Sequence, residues 1–71
     1  MELKKEVEIL WKKYEDYKET AEQSIFAQLY LYDMFLEPRY KDLQKNWSDE
    51  HAEAFIHGMK NVVFKELGIA A

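Results

Sequence analysis

The sequence predicts an all-α protein, and three observations carry that prediction. Two glycines and one proline in 71 residues leave little material for turns. Hydrophobic residues make up 48% and charged residues 34%, the balance of a chain that folds rather than one that stays disordered. Apolar residues also recur at helical spacing along nearly the whole length. The expected elements are a long N-terminal helix over about residues 2–36, a short helix over 39–46 and an amphipathic helix over 49–67. Together they form a single domain, 1–71, in which the long and C-terminal helices pack as an antiparallel hairpin or small bundle.

In the first element, Leu3, Val7, Leu10, Tyr14, Tyr17 and Ala21 alternate spacings of four and three, which is one stripe on a helix. Lysines and glutamates fill the outer face, with Glu8 and Lys12 placed to pair at i,i+4. Trp11 and Ile9 lie off the stripe. The spacing continues through Ser24, Gln28, Leu31 and Phe35, so a continuous helix of ~50 Å is the preferred reading. The competing reading breaks the chain near 20–24, where Thr20-Ala21-Glu22-Gln23 matches a capping box.

Residues 24–36, SIFAQLYLYDMFL, are apolar nearly all round, with only Ser24, Gln28 and Asp33 plainly polar. Ile25, Leu29, Tyr32 and Leu36 make the tightest stripe; Phe26 and Tyr30 lie to one side, Leu31 and Phe35 to the other. A helix of that kind belongs inside something. One other long helix covers only one side of it, so the remainder calls for a second copy of the chain or a different protein.

Pro38 is expected to end the helix near Leu36 and to open a short helix with Tyr40, Leu43 and Trp47 on its apolar edge. Ser48 is a good N-cap for the last helix, and Asp49 and Glu50 suit its dipole. Ala52, Phe55, Ile56, Met59, Val62, Val63 and Leu67 form its face. Gly68 fits the C-terminal cap, with Ile69 reaching back to Phe64. Gly58, mid-helix, costs ~1 kcal/mol against alanine, which a close-packed neighbouring helix would justify.

No cysteine is present, so disulfides and thiolate metal sites are excluded and a reducing, cytoplasmic setting is expected. A 71-residue core supplies roughly 3–5 kcal/mol, and small domains commonly add a staple; here a partner subunit is the one left. The net charge of −4 disfavours phosphate-backbone binding. The N-terminus lacks the apolar region of a secretory signal, and the apolar run at 25–36 falls short of the ~20 residues that span a bilayer, so no membrane role is expected.

No nucleotide-binding, nucleophile-elbow or zinc spacing occurs, and no catalytic, cofactor or metal residue is assigned. His51 and His57 are six apart and cannot jointly hold a metal; Glu53 with His57 supplies too few ligands. Glu15, Asp16, Glu19 and Glu22 are interleaved with lysines, as on a solvated face.

Eleven aromatic residues are many for this length. Trp47, Phe55 and Phe35 are read as core. Trp11, Tyr14, Tyr17, Phe26, Tyr30 and Leu31 are the candidate interface, with Tyr14 and Tyr17 in a coiled-coil-like seam of a homodimer. The function expected is a non-enzymatic protein–protein interaction module, an adaptor or regulator of a larger protein. A dimeric helix-turn-helix-like regulator is the alternative, weakened by Asp49 and Glu50 in the first turn of its recognition helix. An acidic DNA mimic is weaker still.

Overall fold

The computed structural model describes residues 2–70. Among them are three helices and no strand. Helix α1 spans Leu3–Thr20, and a single 3-10 turn, Gln23–Ile25, leads into α2, Phe26–Lys45. The C-terminal helix, α3, opens as Asp49–Gly58, widens into π-helical turns over Met59–Phe64 and closes as Lys65–Leu67.

The expected continuous helix through residue 36 is replaced by two helices. Ala21 and Glu22 are extended, with ψ of 147° and 151°, and the chain turns back there. The position is the one the capping box marks, but Thr20 ends α1 instead of capping α2: its hydroxyl donates to the Tyr17 carbonyl at 3.2 Å. The physical reason is burial. The folded molecule is 35 Å along its longest axis, which cannot hold a ~50 Å helix, and the reversal lets α2 close over α1.

Pro38 does not stop α2, which runs on to Lys45. A proline inside a helix costs ~3 kcal/mol through its missing donor and its ring clash. The compensation visible is tertiary: continuation carries Leu43 into the core and packs Tyr40 half-buried against it. Full burial of a side chain such as Leu43 contributes about 1.5–3 kcal/mol, which offsets much of the cost of the proline.

Helices α1 and α2 run antiparallel. Lys18 meets Asp33 near the reversal, Glu8 accepts from the Tyr40 hydroxyl at 2.7 Å further along, and Lys4 lies 5.4 Å from the Trp47 ring beyond the end of α2. Glu8 thus pairs across helices, and Lys12 pairs with Asp16 instead. Helix α3 runs antiparallel to α2, with Tyr40 against Phe55 and Tyr32 hydrogen-bonded to Glu66. Glu6 holds Lys60 at 2.7 Å between α1 and α3.

The core takes Val7, Leu10, Trp11 and Tyr14 from α1; Leu29, Leu36 and Leu43 from α2; and Ala52, Phe55, Ile56, Met59, Val63 and Phe64 from α3. Trp11 stacks on the half-buried Tyr40 with ring centroids 4.4 Å apart and tilts against Tyr14 and Phe55. The caps of α3 follow the sequence. Ser48 accepts from the His51 amide, and Gly68 adopts φ 74° while Ile69 donates to the Phe64 carbonyl at 2.9 Å. That pair of features is the Schellman arrangement.

Gly58 corrects an expectation: a Cβ there would meet nothing within 4 Å, so no helix packs closely against it. It opens instead onto a groove.

Candidate functional site

The six candidate interface residues divide into two groups. Trp11 and Tyr14 belong to the core of the single chain, and Tyr17 packs half-buried against that core. Tyr14 therefore takes no part in an exposed seam. Its hydroxyl donates to Asp33 Oδ1 at 2.5 Å, with the Leu29 carbonyl 3.4 Å away, and Lys18 reaches the same carboxylate oxygen at 3.0 Å. Burial, reinforced by the bond to Asp33, pushes the Tyr14 phenol far above its ordinary range. Asp33, the one charge in the apolar segment, is thus turned inward to tie α2 to α1.

Phe26, Tyr30 and Leu31 stand on the surface at 50%, 64% and 65% exposure, joined by Met34 at 60% and Phe35 at 56%. Ten consecutive residues of α2 thus present five large apolar side chains to solvent. Phe35, read as core, is a correction. Leu29, Leu36 and Leu43, seven apart, define the inward edge of α2, and one residue before Leu36 points ~100° away from it. Of the residues grouped with Phe35, Phe55 is buried and Trp47 is half-buried, its indole N–H donating to Asp49 at 2.7 Å.

The exposed half of α2 has two parts. Leu31 and Phe35 form one wall of a groove of about 840 Å³ between α2 and α3, faced by Val62 and Ala54 with Gly58 open beneath. Leu36, Leu43, Phe55 and Val63 make its floor, and Arg39, Asp42, His51 and His57 give it polar borders. The Arg39 guanidinium lies over the Phe35 ring, 3.7 Å from its centroid. Tyr32 also lines the groove; burial, and then its hydrogen bond to Glu66, raise its phenol above the ordinary range. The second part is a ridge of Phe26, Tyr30 and Met34. Beside it lies a shallower depression of about 420 Å³ bordered by Tyr30, Asp33, Met34, Glu37, Pro38 and Lys41.

The groove was not visible in the sequence. Val62 reads there as one more residue of a core face, and Gly58 as a packing contact. Counting inward positions by seven across Pro38 would have exposed Phe35; the expected helix stop at Leu36 hid that count.

The other chemistry-bearing groups are dispersed. His57 Nδ1 lies 3.0 Å from the Asn61 amide nitrogen. Glu15, Asp16, Glu19, Glu22, Asp49 and Glu50 are all exposed. Among the described residues no three His, Asp or Glu side chains gather as a metal site. No described helix is long and apolar enough to cross a membrane.

Comparison with protein-family models, curated proteins and solved structures finds no match to this chain.

Proposed function

We propose that this chain is a small non-enzymatic interaction module, an adaptor or regulator that docks a larger protein on the groove between α2 and α3. The observation that carries this reading is the exposure of Leu31, Phe35 and Val62 around a groove that no other described segment fills. A single exposed leucine is ordinary; a contiguous apolar patch rimmed by polar residues marks an interaction surface. The occupant that fits is an amphipathic helix. Its apolar stripe would lie over Leu36, Leu43 and Val63 between the walls, and its polar flanks would meet Arg39, Asp42, His51 and His57.

Association costs roughly 4–15 kcal/mol in lost freedom, and each large apolar side chain desolvated returns about 1.5–3. Several must therefore be buried at once, and the exposed walls, Leu31, Phe35 and Val62, supply them.

The test begins with crosslinking of tagged protein in lysate, then purification of the recovered partner and titration against it. Leu31→Ala and Phe35→Ala are each expected to weaken that binding about tenfold or more, the range of buried interface anchors. Binding should change little between low and high salt, because the contact is apolar. Equal affinity for the two variants and the parent, or affinity that collapses with salt, would overturn the groove reading.

A further inference from the structure

We infer that the ridge of α2, separate from the groove, is the contact face of a two-fold symmetric homodimer in which α2 packs antiparallel on α2 of a second copy.

The ridge is self-complementary. Phe26, Tyr30 and Met34 are spaced by four and stand exposed in one row. In helix pairing a knob enters a hole made by four residues of the facing helix. The depression beside the ridge supplies two such holes, one from Tyr30, Asp33, Met34 and Glu37, the next from Met34, Glu37, Pro38 and Lys41. In an antiparallel pair, the register that seats Tyr30 of one copy in the first hole seats Phe26 of that copy in the second. The two-fold repeats both contacts in the other direction, and such an isologous contact closes at two subunits.

Charge follows the same register. Glu22, just before α2, is exposed, and so is Lys41 near its far end; neither is ion-paired among the described residues. Antiparallel pairing brings the end of each copy that carries Glu22 to the end of the other that carries Lys41, and a parallel pair would bring like to like.

The area fits a weak dimer. The three ridge side chains expose on the order of 300 Å² per chain. Pro38 and the stems of Glu37 and Lys41, on the borders of the holes, extend the face. That brings it towards the ~600 Å² per partner at the lower limit of specific interfaces. The groove lies on the other flank of α2 and stays open in such a pair.

Sedimentation equilibrium of the full chain from about 1 to 300 μM tests this, with far-UV circular dichroism to confirm that each variant is folded. A monomer–dimer equilibrium is expected. Tyr30→Glu should remain helical and sediment as a monomer throughout. Glu22→Lys and Lys41→Glu should each weaken the dimer about tenfold, since each change turns two attractions into two repulsions. Combining them restores opposite signs and should return the parental dissociation constant.

A parent that is monomeric at the highest concentration overturns the inference, as does a dimer that Tyr30→Glu leaves intact. A double charge reversal no tighter than the single ones overturns the register. Val62→Asp, on the groove, should leave the dimer unchanged, so this inference and the groove reading fail separately.

Discussion

Asp33 shows how much a single residue decides here. Written out, it interrupts an otherwise apolar segment; folded, it receives Tyr14 and Lys18 from α1 and fixes which way α2 faces. Tyr14 is fully buried, and a hydrogen bond to a charged acceptor is worth about 1.5–3 kcal/mol. Tyr14→Phe keeps the ring and loses the bond, so urea unfolding at pH 7 should report a loss of ~1–3 kcal/mol. The phenol also predicts an alkaline signature. An unfolded tyrosine gives up its proton near pH 10, while folded Tyr14 retains it well above that. Between those values the native state holds the extra proton, so stability is intact below pH 10 and falls as pH rises past it. The slope from this one group is about 1.4 kcal/mol per pH unit. Tyr40, half-buried and hydrogen-bonded to Glu8, is pushed up to about 12 and adds to the loss between pH 10 and 12. Stability measured from pH 9 to 11 should therefore drop less steeply in Tyr14→Phe than in the parent. Parallel curves would show that Tyr14 titrates like an exposed phenol.

At the scale of elements, the helices keep two residues that local rules disfavour, and both lie beside the exposed face. Pro38 sits inside α2 and Gly58 inside α3. Their costs are local, whereas the burial that tolerates them is tertiary. Replacing each with alanine should therefore stabilise the chain. For Pro38→Ala the restored donor and relieved ring predict a gain of roughly 1–3 kcal/mol, and for Gly58→Ala, where the new methyl meets no atom, about 1 kcal/mol. Thermal unfolding checks both, and destabilisation by Gly58→Ala would mean that the groove floor is filled. Pro38 borders the proposed two-fold contact and Gly58 opens onto the proposed docking groove, so each alanine can stabilise the fold while altering one of these two surfaces. The widened turns of Met59–Phe64 immediately follow Gly58, and they bring Met59, Val63 and Phe64 into the core while Val62 is left on the groove wall.

Across the whole molecule, the sequence made legible whatever periodicity governs. The helical class, the α1 stripe, the Ser48 and Gly68 caps and the Leu29–Leu36 edge were all readable, because each depends on spacing within one helix. What it hid depends on two helices at once. The reversal at Ala21 and Glu22 carries no glycine or proline; it exists because α2 has α1 to cover. Trp11, off the stripe, is buried only because Tyr40 and Phe55 arrive from other helices. The site was half legible for the same reason: surplus apolar surface on 24–36 could be counted, but which residues were surplus depended on where α3 lies.

That surplus can be measured apart from any partner. Leu36 is core, and Leu36→Ala should cost about 2–5 kcal/mol by cavity formation. Leu31 and Phe35, five residues and one residue before it on the same helix, are more than half exposed, so they lack the surroundings that make a truncation costly. Leu31→Ser with Phe35→Ser should therefore change the unfolding free energy by no more than ~1 kcal/mol in dilute protein. If the pair costs as much as Leu36→Ala, those side chains support the fold of the single chain, and α2 has no apolar surface left over for a partner.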